Sequence, residues 1–238
     1  MRIGYLVSLY PAASHTFIRR EIEALRGRGL QIDTFSIRSP APADLKSEQD
    51  RSAQSETWYV LPARPLLLLR DHAATLAADP RGYLRVLRLA LSHRPPGLKA
   101  LALSLAYFAE AVMLARELKR RSIGHLHAHF ANAAGTVGLL TSTLMAIPWS
   151  LTLHGISETD YPAGVTLRRK IERAQFVALR LPLRARPGHA DRAGEPVEQA
   201  VHFALRPAAG QSAGPGRPAG WRPAAGDMRR APVGGKSA

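Results

Sequence analysis

The sequence predicts an α/β domain, Rossmann-like, with a doubly wound parallel sheet over residues 1–178 and a low-complexity, disordered tail over residues 179–238. Three observations predict it. Short, nearly continuous apolar runs alternate with amphipathic helical patterns, as strands buried on both faces do. The first run, helix and second run fit within residues 2–37, the size of one right-handed β-α-β crossover. After Val177-Ala178 the apolar period stops, and Ala, Arg, Gly and Pro dominate. Alanine buries too little surface to offset the entropy of ordering such a segment.

Each element follows in order. Ile3, Tyr5, Leu6 and Val7 make residues 2–8 a buried strand. Residues 16–28 form a helix with Phe17, Ile18, Ile22 and Leu25 on one stripe, Ser14 as N-cap, and Gly27 and Gly29 as the stop. Residues 30–37 alternate as a second strand. Polar, proline-interrupted residues 38–56 read as a loop, and residues 57–61 as a short third strand. Helices over 66–78, 80–92 and 97–120 are separated at Asp79-Pro80 and Arg94-Pro95-Pro96, where proline ends a helix. Strands over 124–129 and 148–153 flank a helix over 132–145, whose Ala133, Ala134, Gly135 and Gly138 allow close packing on a sheet. A short basic helix over 166–173 precedes a last strand beginning at 175–178. Such a succession gives a parallel sheet with ligands at the strands' carboxyl ends.

The chain has no cysteine, which excludes disulfides, thiol nucleophiles and thiolate metal sites and fits a reducing compartment. Residues 3–9 are too short an apolar run for a signal peptide. Residues 98–118 come nearest to a membrane span but are interrupted by Lys99, Glu110, Arg116 and Glu117. These features suit a cytoplasmic protein. The formal net charge of +15 points to anionic partners. Ten cations and four carboxylates lie beyond Ala178, so the tail carries about six of those charges. No nucleic-acid-binding module is visible, and nucleic acid is not the expected partner. The Arg/Leu faces of the helices over 66–92 suit either a solvated domain surface or peripheral contact with an anionic membrane.

Three polar loops fall at predicted carboxyl ends. The first, Ser14-His15-Thr16, opens a helix, where backbone amides and hydroxyls suit a phosphate or sugar oxygen. It lacks the Gly-rich dinucleotide fingerprint. The second runs from His125 to Asn132, and alternation puts His125, His127 and His129 on one face. Three imidazoles can bind zinc, but along a strand they stand about 6–7 Å apart, too far for one ion. Packed or hydrogen-bonded histidines, with those nearest the strand's end lining a cleft, are the preferred reading. The third loop holds His154, which can donate to a sugar hydroxyl or phosphate. Gly155 follows as the residue that lets the backbone turn.

Together, the segments 10–22 (Tyr10-Pro-Ala-Ala-Ser-His-Thr-Phe-Ile-Arg-Arg-Glu-Ile), 125–131 (His-Leu-His-Ala-His-Phe-Ala) and 151–155 (Leu-Thr-Leu-His-Gly) resemble the N-terminal half of GT-B glycosyltransferases. The likeness is to the retaining family 4, and within it to members that build bacterial exopolysaccharide and colanic-acid-type polymers. It covers residues 1–178. It implies an acceptor-side Rossmann-like domain facing a donor-side one, with transfer from a nucleotide-sugar to a polysaccharide or lipid-linked acceptor. No cofactor beyond that co-substrate and no essential metal are implied. By the same resemblance His154 is the catalytic residue touching the transferred sugar. Ser14 and Thr16 approach the donor phosphates, His129 and Asn132 belong to the cleft wall, and His15 and Gly155 are further substrate-binding residues. Family members continue into a donor domain. Here the tail resembles a reading frame shifted near codon 178, which implies a truncated transferase inactive alone. A non-catalytic acceptor- or membrane-binding module acting with a separate donor domain is the alternative, and a basic nucleic-acid-binding protein a further one.

Overall fold

Along the first strand Tyr5 and Val7 alternate with Leu6 and Ser8, so each set must enter a different face of a sheet. The computed structural model shows both faces covered. It describes residues 1–155, 158 and 163–179, with backbone alone at 13 and 163–165. All of these fall within one unit, Met1–Pro207, and the second unit, Ala208–Ala238, lies outside the described residues. The elements are β1 (Arg2–Leu9), α1 (Thr16–Gly27), β2 (Gln31–Arg38), α2 (Glu48–Glu56), β3 (Trp58–Leu61), α3 (Pro65–Ala78), α4 (Pro80–Ser92), α5 (Leu98–Arg120), β4 (Ile123–His129), α6 (Ala133–Met145), β5 (Trp149–Leu153), α7 (Ala163–Arg173) and β6 (Phe176–Leu179).

The six strands are all parallel, in the order β3-β2-β1-β4-β5-β6. This is the doubly wound Rossmann-like order the sequence predicts. The direction of strand addition reverses between β1 and β4, and in such sheets ligands bind at the carboxyl ends beside that reversal. On one face Tyr5 and Val7 pack with Ile18 and Ile22 of α1 and with Ile32. On the other, Leu6, Phe35, Leu126, Ala128 and Leu151 pack with buried residues of α4, α5 and α6.

The small-residue face of α6 explains its close approach to the sheet. A Cβ on Gly135 would stand 2.8 Å from the Phe130 carbonyl oxygen, and one on Gly138 would stand 3.4 Å from the Ala128 Cβ. The end of α1 uses Gly29 at φ +84°, where its N–H donates to the Arg26 carbonyl and the Leu30 N–H to the Leu25 carbonyl.

Three expectations need correction. The predicted loop over 38–56 contains α2, held by a capping box in which Ser47 and Asp50 each accept the other's backbone N–H. Its surface is almost wholly polar, so apolar period gave no sign of it. Ser14 does not cap α1, because a 3-10 turn (Ala13–His15) precedes the helix and His15 takes the cap position, with no side-chain cap hydrogen bond from it. Finally, α5 is one continuous helix whose most apolar 18-residue window has a mean hydropathy of 1.6, long and apolar enough to cross a membrane by length and composition. Here it packs against α3, α4 and α6 and buries Phe108, Ala111, Val112, Leu114 and Leu118. The tail expectation concerns residues of which only Leu179 is described; 180–238 lie outside the described residues, as do Ile156 and Ser157 of the third loop.

Candidate functional site

The carboxyl ends of β1, β4 and β5 bring three sequence-distant segments to one point. His129 is the last residue of β4 and is fully buried. Its Nδ1 stands 3.0 Å from Nε2 of His154, just past β5. Its Nε2 faces the Glu21 carboxylate of α1 at 3.8 Å. The Tyr5 hydroxyl donates to the same Glu21 oxygen at 2.9 Å, and burial together with that carboxylate pushes the phenol far above its usual range. A proton on His129 Nε2, the edge facing Glu21, leaves Nδ1 as acceptor. His154 Nε2 then carries the shared proton.

An aromatic wall surrounds the half-buried His154. Its ring centroid lies 4.2 Å from Phe130 and 4.9 Å from Phe17. The Phe130 ring in turn lies 5.2 Å from His15, tilted by 39°, and the His15 Nδ1–H donates to the Leu9 carbonyl at 3.0 Å. Phe130 has φ 69°, a left-handed conformation unfavourable for a bulky side chain. Such strain concentrates where surrounding structure fixes a functional geometry.

A carboxylate ties the strand ends together. Glu158 Oε1 accepts the His154 N–H at 2.6 Å and Oε2 the Ala131 N–H at 2.5 Å. Burial raises its pKa against those two bonds and against the nearby Lys170 charge. Lys170 of α7 is 1% exposed, donates to the Ala131 carbonyl, and reaches Thr166 Oγ1 at 3.2 Å. Burial pulls its ammonium down to about 8, against the pull of Glu158.

Below the site, Ser150 Oγ sits 2.7 Å from both His125 Nε2 and His127 Nδ1, and His127 Nε2 is 3.0 Å from Thr152 Oγ1. One hydroxyl proton serves one imidazole, so the other imidazole must donate to the oxygen. Burial lowers His125 to about 4. The three strand histidines do share a face, and among the described residues the group able to hold a metal is His127, His129 and Glu21, with ligand atoms within 4.8 Å of one another. Two nitrogen ligands of one zinc stand at most about 4.2 Å apart, and His127 already bonds at both ring nitrogens. The trio would have to draw together and give up a hydrogen bond to hold an ion.

Of the residues singled out from sequence, His15, His129 and His154 converge. Asn132 caps α6: its Oδ1 accepts from the Ala134 N–H at 3.2 Å and from Ser8 Oγ at 2.7 Å, locking β1 to α6 across the strand reversal. Ser14 and Thr16 are exposed at the start of α1 and make no side-chain hydrogen bond among the described residues. Gly155 is exposed and its φ is not positive, so the special backbone freedom expected of it is not used. Sequence reasoning gave no role in the site to Glu158, Lys170, Glu21, Phe17 or Phe130. The spacing of Leu167, Lys170, Ile171 and Ala174 on one helical face was the available sign that Lys170 points inward.

No protein-family model and no curated protein matches the chain. Among solved structures, sucrose-phosphate synthase from Thermosynechococcus elongatus is similar at 16% identity and a TM-score of 0.43. The likeness covers 74% of this chain and 42% of that one, so the chain spans less than half of that protein's length.

Proposed function

We propose that the carboxyl edge of this sheet is the acceptor-side wall of a glycosyl-transfer cleft, of the retaining GT-B type resembling family 4. The observation that carries the proposal is the convergence of His15, His129 and His154 with Phe17 and Phe130 at the strand reversal. The segments resembling that family are these same three, and the first lies over a hundred residues of chain from the other two. His154 supplies an imidazole hydrogen bond to the transferred sugar, its ring set by His129 and its backbone by Glu158. Phe17 and Phe130 exclude water, which strengthens any hydrogen bond to the departing phosphate. A second lobe holds the donor nucleotide opposite this wall, and turnover requires both lobes.

The test is equilibrium binding of nucleoside diphosphate sugars to the full chain. The proposal expects weak, sugar-dependent binding, on the order of 1 mM, reduced several-fold in His154→Ala. Equal binding by the variant, or no binding by either protein, overturns it.

A second reading concerns location. Leu66, Leu69 and Leu98 are 80%, 67% and 85% exposed. They share the α3–α5 layer with exposed Arg64, Arg81, Arg85, Arg88 and Lys99. Exposed leucines among cations suit the surface of an anionic bilayer. Cosedimentation with vesicles containing phosphatidylglycerol, weakened by salt and by Leu66→Asp with Leu69→Asp, is the expected result. Equal recovery with neutral vesicles contradicts it.

A further inference from the structure

The same edge of the sheet carries a cavity of about 250 Å³ on the side of α5 and α6. It is bounded by the α4–α5 connection, the first half of α5, the amino end of α6 and α7. Its chemistry is divided. Pro95, Leu103 and Tyr107 give an apolar wall, and His93, Arg94 and Lys170 give a cationic or hydrogen-bonding one.

The polar wall is under-satisfied. His93 is 5% exposed, and neither ring nitrogen has a hydrogen-bond partner among the described residues. Arg94 Nε, also buried, has none. Lys170 uses two of its three N–H bonds, on Ala131 and Thr166. The 13-residue α6 points its positive end at the same space. Glu158 is the carboxylate beside Lys170, and its oxygens are engaged by the amides of Ala131 and His154. Buried donors left without partners cost stability unless a ligand or water completes them.

We infer that this cavity binds one anionic group, a phosphate or a carboxylate, whose attached chain or ring lies against Leu103, Tyr107 and Pro95. Lys170 and the α6 terminus supply the positive potential. One ring N–H of His93 and the Arg94 guanidinium supply directed bonds. The volume suits a phosphate with a short neighbouring group. Assigning that anion to the acceptor of the transfer rests on the function proposed above, whereas the binding itself does not.

The test is calorimetric titration of the full chain with inorganic phosphate, hexyl phosphate and hexanoate. Saturable binding of at least one anion is expected, weakened about tenfold in Arg94→Gln and in His93→Leu, the loss of one charge-assisted hydrogen bond. Circular dichroism of each variant confirms that the fold is retained. Hexyl phosphate or hexanoate binding more tightly than phosphate supports the pocket with a chain-bearing anion as its source. Equal affinity supports it with a free anion. Saturation by none of the three, or affinities unchanged in both variants, overturns the inference. Nucleotide-sugar binding measured on the same variants separates the two proposals, because it depends on His154 and not on Arg94.

Discussion

Replacing Ser150 by alanine removes one oxygen and leaves two buried imidazoles incomplete. Ser150 is fully buried, with its hydroxyl 2.7 Å from His125 Nε2 and from His127 Nδ1. Each buried group that loses its partner costs about 1–3 kcal/mol. The two together give a predicted loss of about 2–6 kcal/mol, with the gap left by the hydroxyl too small to admit water. Ser142→Ala is the matched control. Ser142 is also buried, in α6, but its hydroxyl only adds a bond to the Leu139 carbonyl, which Thr143 Oγ1 also contacts. That loss is predicted below about 1 kcal/mol. Urea unfolding of the full chain at neutral pH, followed by tryptophan fluorescence, measures both. Trp149 lies on β5 beside Ser150 and reports the relevant region. If Ser150→Ala is no more destabilising than Ser142→Ala, the shared-hydroxyl account of the histidine ladder is wrong.

Gly135→Ala is predicted to destabilise although alanine favours helix by about 1 kcal/mol, because the new Cβ meets the Phe130 carbonyl at 2.8 Å and overpacking costs about 1–3 kcal/mol; a raised melting temperature would refute this. Lys170→Met leaves the Ala131 carbonyl and the Glu158 carboxylate without their cation and is predicted to cost about 3–5 kcal/mol by urea unfolding; a loss under 1 kcal/mol contradicts it. Burial pushes the Glu110 carboxyl up to about 7 against an ordinary 4.5, with Arg38 opposing. The folded chain therefore holds this proton where the unfolded chain does not, and the stability it contributes is full below pH 4.5 and lost as pH rises through 7. Glu110→Gln mimics the protonated acid, so it should stabilise by up to about 3 kcal/mol at pH 8 and by little at pH 4.5; an equal gain at both refutes the assignment. His93 and His125 run the other way, each held down to about 4 by burial, so their contribution is present above pH 6.5 and lost as pH falls through 4. Single-variant differences, not the whole-protein pH curve, separate these opposing parts.

The sheet was legible because its strands are buried on both faces. Residues such as Tyr5, Leu6 and Val7 had to be apolar together, whichever side each entered. Alternation of strands with helices gave the parallel, doubly wound class, while the strand order itself came from the structure. Helix α2 was hidden because Glu48–Glu56 has no apolar stripe, although Ser47 and Asp50 spelled its cap. In the site, His15, His129 and His154 could be picked out as polar residues at strand ends. Phe130 could not, because its role comes from a left-handed backbone that no side-chain pattern announces. Nor could Glu158, whose two bonds reach the ends of different strands. Long-range pairs of this kind exist only once the sheet order is known.

The most direct measurement of the central claim is histidine-selective ¹⁵N NMR of the full chain titrated with nucleoside diphosphate sugars. The ring signals of His15, His129 and His154 should move together and saturate at one ligand concentration, while His72, set in α3 against Tyr83, stays still. No coordinated movement of those three with any nucleotide-sugar, or movement confined to His72, would contradict a sugar-binding wall at this strand edge.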